Sequence, residues 1–460
     1  MFKIRSQYIL KIIFQNASEK TYLGLIKYNK KLQLKLGKTI DDYKKYNQIV
    51  IELIPNNHLI NNNNIFINLE NRKRHFFHIF FDDYNVESER NYIDSDDKIS
   101  KIKIIIDREI DSLKSLFKSC KCIKEINFSK FNRKDIYDVS EIFYDCGTLF
   151  KINLENFKAD NITNMESMFY WCKSLKEINL TNLNTKKLIN MNNMFCGCLD
   201  LQTLNFSSFD TSNVIDMSYL FCGCSSLKGL DLSNFNTSNV KNMKSMFSGC
   251  SSLKELNLSN FDTSNVENMS FMFRDCSNLF ELDIKNFKTS KVTNMIYMFH
   301  NCSSLPKLNI TNFDTSQVIN MHNMFTRCSS LSELNLMNFN TSKVTDMSYM
   351  FNGCSEIKEL DLSKFNTNKV TDMSHMFSNC SELEKLINTN FNTSNVSDMS
   401  FMFNQCSSLR YLKILKFNIK KNTRMQNMFA QCSNDLKTKI INANKRKFKN
   451  EAFEDDLYSY

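Results

Sequence analysis

Hydrophobic and polar positions over residues 98–440 repeat with a period of 26. One unit, read from Cys250, contains Leu253, Leu256 and Leu258 in the spacing L-x-x-L-x-L. Leu256 and Leu258 alternate with Glu255 and Asn257, the period of a half-buried strand. Phe261 and Val266 follow as inward anchors. Between them stand Thr263, Ser264 and Asn265, short polar residues of the kind that close turns on their own backbone. The period then changes. Met269, Met272, Phe273 and Cys276 fall at i, i+3, i+4 and i+7, which predicts one face of a short α- or 3₁₀-helix. Asn268 stands at the N-cap position of that helix.

Thirteen of the 16 cysteines obey the same period, from Cys120 to Cys432. Only Cys122, Cys196 and Cys222 fall outside it. Fixed periods of this length mean stacked coils, because one unit cannot bury its own Leu, Phe, Met and Cys. The expected fold class is an α/β repeat solenoid of about 13 coils. It has a parallel sheet on one side, short helices on the other, and a small N-terminal α+β module. Strands would repeat at about 4.8 Å and helices at about 10 Å, so a continuous helical row would splay outward. Of the 23 Met, 21 occupy the two helical positions, which reads as core and not as a metal or redox stripe. The thirteen ladder cysteines cannot pair completely, so they are expected to be reduced, buried thiols suited to the cytoplasm.

The repeats have ends. Ile102 to Ile106 read as an irregular first strand, and the pattern decays at Asn388, Ile419 and Asp435. Four segments are expected: a helical module over 1–48, an Asn-rich, strand-containing connector over 49–97, the repeats with degenerate caps over 98–440, and a charged tail over 441–460. In the first, helical spacing covers Tyr8–Phe14 and then Tyr22, Leu25, Ile26, Leu32 and Leu36. In the second, Asn56-Asn57 and Asn61 to Asn64 read as loop, and Phe76 to Phe81 as a buried strand.

The net charge of +10 sits mostly in the first 50 residues, and the nearly balanced repeats argue against nucleic acid as a partner. No apolar run is long enough to span a membrane. The N-terminus does not read as a signal peptide, and no lipid-accepting Cys stands near it. With 8 Gly in all, phosphate-cradling loops are scarce, and no nucleotide or hydrolase motif is present. His58, His75, His78, His300, His322 and His375 have no ligand spacing. No catalysis, cofactor or metal is therefore expected. The exposed strand face is the candidate binding surface. Its central position is Asn or Asp in most units, including Asn205, Asp231, Asn257, Asp283, Asn309, Asn335 and Asp361. Such a row could bond along the stack as an amide ladder, meet a partner, or do both.

The run Met272-Phe273-Arg274-Asp275-Cys276-Ser277-Asn278-Leu279 and its copies resemble the bacterial surface-protein 26-residue repeat family. That family is a domain of unknown function in mycoplasma lipoproteins and is related to the BspA-like leucine-rich repeats. The resemblance implies a leucine-rich-repeat-like solenoid with a binding role, often adhesion at a cell surface. Phe261 stands where those repeats usually carry Asn or Cys. The order of apolar residues in 1–48 weakly resembles an F-box, without its Pro and Trp. The expected function is thus a non-catalytic, monomeric, cytoplasmic scaffold that binds a protein or peptide. Alternatives are a BspA-like adhesin at the cell surface and an F-box-like adaptor of a ubiquitin ligase.

Overall fold

The computed structural model describes residues 19–56, 64–69, 74–82, 86–107, 110–388, 391–412, 417–443 and 448–455. The expected helix at Tyr8–Phe14, most of the Asn-rich loop and His58 lie outside the described residues. Three short helices come first: α1 (Glu19–Ile26), α2 (Lys30–Leu36) and α3 (Ile40–Tyr46). Asn29 caps α2 by accepting from the Leu32 N–H at 3.1 Å. Thr39 and Asp42 close a capping box on α3. Leu23 and Leu32 are buried between these helices, whereas Leu25 and Leu34 stay exposed.

A sheet then begins the array. It contains β1 (Ile49–Pro55), β3 (Phe77–Phe81), β4 (Glu87–Ser88), β6 (Ile102–Ile106), β7 (Ile123–Lys130) and β8 (Lys151–Asn153), in the order β4-β3-β6-β1-β7-β8. The short strands β2 (Asn64–Ile65) and β5 (Tyr92–Ile93) pair with each other. β1 runs antiparallel to both β6 and β7, and β7 runs parallel to β8. Ile102 to Ile106 therefore form an antiparallel strand between β1 and β3, and β7 is the first strand of the solenoid register. Ile49, Ile51 and Leu53 face the core from β1, closing the apolar end of the array.

Within the array, residues Leu253, Leu256, Leu258, Phe261, Met269, Met272, Phe273 and Cys276 are all buried. The L-x-L segments form short parallel strands such as β9 (Glu177–Asn179), β10 (Thr203–Asn205), β11 (Glu255–Asn257) and β12 (Glu281–Asp283). Towards the C-terminus follow β13 (Glu359–Asp361), β14 (Lys385–Ile387) and β15 (Tyr411–Leu412). This sheet is interrupted. β9 pairs with β10 and β11 with β12, and Lys307 and Glu333 form only a single bridge.

The other side corrects the expected helices. No described residue from 110 to 433 is helical. Met269–Cys276 is a run of overlapping turns. Alternate N–H groups bond back within the coil, as from Met272 to the Met269 carbonyl at 3.3 Å. The others, on Met269, Phe271, Phe273 and Asp275, bond forward to Asn294, Ile296, Met298 and His300. Parallel bridges at the Asn268 position run unbroken from Ser112 to Arg424. A helix would spend these N–H groups on itself and demand about 10 Å per coil, while the strands opposite allow about 4.8 Å. Turns keep both sides at one spacing. They also place residues 269, 272, 273 and 276 inward, so the helical spacing of the side chains is met without a helix.

Two backbone positions per coil make this possible. Phe271 has φ 60° and Asp275 φ 59°, and every equivalent residue is likewise left-handed. Gly, Asn or Asp fills the Asp275 position in eight of thirteen coils, the residue types that accept this conformation with least strain. At the far end, α4 (Asn434–Ala443) precedes a short capping segment. In the last coil the forward-pointing N–H groups on Asn427 and Phe429 bond the carbonyls of Glu451 and Ala452, each at 2.7 Å, and that on Gln431 bonds the Asp455 carboxyl at 2.6 Å. Phe453 stacks on Phe429 at 5.4 Å.

Candidate functional site

The strand face carries Asn205, Asp231, Asn257, Asp283, Asn309, Asn335 and Asp361 in one column, all exposed or half-buried. They do not form a ladder along the stack. Each side-chain oxygen accepts from an N–H two residues on in its own coil. Asn257 accepts from Ser259 at 3.0 Å, for example. Bonds from Ser233 and Ser363 hold the Asp231 and Asp361 carboxyls below the usual carboxylate range. Asp262 and Asn268 close two further corners identically, through Ser264 and Ser270. The amides that do join coils lie at the corners. Asn260 donates to Phe235 and Asn265 to Ser238, at 3.1 and 2.7 Å.

Asx corners of this kind are each worth about 1 kcal/mol. The double substitution Asn257→Ala with Asp283→Ala should therefore cost about 1–2 kcal/mol in a urea melt. A loss as large as that from removing a core Phe would show a stacking role for the column instead.

Two depressions open on this face. One, of about 690 Å3, is lined by Glu333, Asn335, Glu356, Lys358, Glu359 and Asp361 among others. The other, of about 750 Å3, is lined by Phe150, Lys151, Lys176, Glu177, Gln202 and Asn205 among others. The structure thus brings Asn335 and Asp361 together and leaves Asn205 apart from them. Asp231, Asn257, Asp283 and Asn309 line neither depression.

Sequence reasoning missed two features. Thr263 and its equivalents are buried, not surface turn residues. The Thr263 hydroxyl accepts from the Lys288 N–H at 2.7 Å and donates to the Lys288 carbonyl at 2.9 Å. The signal was the same residue type at the same position in coil after coil. The second feature is an aromatic ribbon on the turn face. Phe271 stacks on Tyr297, and Tyr297 meets both His300 and His322. His322 then meets Tyr349, which stacks on His375, and His375 on Phe401. His300, His322 and His375 occupy different repeat positions, so spacing alone did not group them. Burial lowers the His300 and His375 pKa values.

The ladder cysteines are buried free thiols. Cys276 donates to the Phe247 carbonyl at 3.1 Å, and the pattern recurs from Cys146 to Cys432. Burial pushes the Cys276 thiol up to about 12. His78 meets Glu87 and Asp107 at 3.1 and 3.2 Å. The described residues hold no group of three or more His, Cys, Asp or Glu arranged to bind a metal ion. No described helix is long and apolar enough to cross a membrane.

Strand face, turn face and L-x-x-L-x-L spacing define a leucine-rich-repeat-like solenoid. The family model described as "Mycoplasma protein of unknown function, DUF285" matches residues 111–228, 197–307, 276–359, 303–390 and 352–455. The chain belongs to that family. No curated protein matches it. Among solved structures, TLR13 in its complex with ssRNA13 is 18% identical, covering 70% of this chain and 50% of that one, with a TM-score of 0.25. This chain thus spans about half the length of the TLR13 chain. The functional domain of InlJ from Listeria monocytogenes includes a cysteine ladder. It is 16% identical, covering 67% of this chain and 69% of that one, with a TM-score of 0.16.

Proposed function

We propose that the chain is a non-catalytic scaffold whose strand face binds an extended protein segment. The observation that carries this reading is the depression lined by four carboxylates, Glu333, Glu356, Glu359 and Asp361, against one lysine, Lys358, with Lys385 paired to Glu359 at 2.6 Å. It is a concave, charged surface where the strand residues of two coils are not paired with each other, and the same two coils are bonded along their turn faces, as from the Phe351 N–H to the Met376 carbonyl at 2.9 Å. Nearer the N-terminus, the same face offers Lys151, Lys176 and the exposed ring of Phe150. A rigid surface loses little conformational freedom on binding, so its contacts count almost fully towards affinity. The shape suits a long peptide better than a small molecule. The acid at one end calls for Lys or Arg in the ligand, and complementarity of this kind sets register and specificity.

Selection of a random peptide library on the full-length protein should enrich sequences containing Lys or Arg. Those sequences should lose at least tenfold in affinity, about 1.4 kcal/mol, against the double variant Glu359→Lys with Asp361→Lys. They should bind Tyr297→Ala, altered on the opposite face, like the parent. No enrichment, or equal loss on both faces, would overturn the reading.

A further inference from the structure

Three cysteines leave the 26-residue register, and two of them, Cys196 and Cys222, are themselves 26 apart. They therefore occupy the same position on successive coils, two residues before ladder cysteines Cys198 and Cys224. The backbones at this position are directly bonded. The N–H of Gly197 donates to the Cys222 carbonyl at 2.7 Å. Neighbouring rungs of a β-ladder lie about 4.8 Å apart, inside the Cα window of about 4.4–6.8 Å that a disulfide accepts. The two side chains stand side by side on successive coils, and the two thiols influence each other's titration.

Their surroundings differ from those of the ladder thiols. Each ladder thiol from Cys146 to Cys432 points inward and donates to a Phe carbonyl. Cys196 is 9% exposed and Cys222 is half-buried. Ser248, on the next coil, and the Arg274 charge beyond it both favour the Cys222 thiolate. The Cys196 thiol, Ser248 and Arg274 together lower the Cys222 pKa, whereas desolvation raises those of the ladder. Reactivity follows the thiolate and its access. A glycine follows each cysteine of the pair, and the ring of Trp171 lies against Gly197.

We propose that Cys196 and Cys222 form a cross-coil dithiol that hydrogen peroxide oxidises to a disulfide, while the ladder thiols stay reduced. The Cys222 thiolate attacks one peroxide oxygen and breaks the O–O bond. This gives a Cys222 sulfenic acid and hydroxide, which takes up the thiol proton as water. The Cys196 sulfur then displaces the sulfenic oxygen, which leaves as a second water, and the S–S bond forms. Two electrons pass from the sulfur pair to the peroxide. A dithiol reductant reverses the change.

The test uses the full chain, reduced and then treated with one equivalent of hydrogen peroxide. After blocking with N-ethylmaleimide and chymotryptic digestion, mass spectrometry should find Cys196 and Cys222 joined and two hydrogens lighter. Trp171 is the chain's single tryptophan, its backbone N–H bonds the Cys196 carbonyl at 2.7 Å, and its ring lies against Gly197. Its fluorescence should fall on oxidation, recover with dithiothreitol, and stay constant in Cys222→Ser. In Cys196→Ser, dimedone should trap the sulfenic acid on Cys222. Both thiols remaining alkylatable after peroxide would overturn the proposal. So would oxidation of the ladder cysteines first, or a sulfenic acid on Cys196 in Cys222→Ser with none on Cys222 in Cys196→Ser.

Discussion

Phe273→Ala is expected to destabilise the protein by about 3–5 kcal/mol in chemical denaturation. The ring is fully buried and lies between Phe247 and Phe299, with centroids at 5.8 and 5.5 Å and nearly parallel planes. Truncation removes two ring–ring contacts and leaves a cavity with Met and Cys walls. The backbone is not the cause, since the Phe273 N–H and carbonyl keep their bonds to Met298 and Cys276. The damage should concentrate in neighbouring coils, because contacts in a solenoid are local. Hydrogen exchange should quicken most near residues 247–299 and least near β1. A melt unchanged from the parent would remove this ring from the core.

Thr263→Val is the second large effect, expected at about 2–4 kcal/mol. Valine keeps the shape of threonine and loses its hydroxyl. The Lys288 N–H and carbonyl, which that hydroxyl joins at 2.7 and 2.9 Å, are then left without it. A buried polar group left unpaired costs more than the mean worth of a hydrogen bond. Thr263→Ser retains the hydroxyl and loses only a methyl group, so it should cost about 1 kcal/mol. Equal losses for Val and Ser would show that packing, not the hydroxyl, makes this corner.

These two residues mark what the sequence could reveal. Phe273, with Leu253, Leu256, Leu258, Phe261 and Cys276, was legible as core because the period repeats each apolar position. Thr263 was not, because a polar residue in a turn reads as surface until its neighbour 25 residues on is placed beside it. The turn face was misread for a sharper reason. Residues 269, 272, 273 and 276 face inward in a helix and in stacked turns alike, so side-chain spacing cannot separate the two. The distinguishing signal lay on the outside, where Gly197, Gly223, Gly249, Asn301, Gly353 and Asn379 occupy a position that is always left-handed. On the strand face, the Asn and Asp column was found, and its geometry was not. An Asx corner inside one coil and a ladder between coils need the same residue types. The ribbon was legible in part, because Phe271, Tyr297, Tyr349, His375 and Phe401 share one repeat position. It escaped because His300 and His322, at other positions, hid the row and the histidines were read on their own.

The unbroken bridges from Ser112 to Arg424 have a consequence for inheritance. Along the turn face every coil offers the next the same N–H groups and meets the same carbonyls there, so any two cut edges match. A crossover between misaligned copies of the coding sequence would add or remove whole coils and keep every rung in register. What would change is the length of the strand face and which charges stand beside one another on it. The antiparallel strands at one end and the Phe453 segment at the other would still close whatever number of coils lay between them.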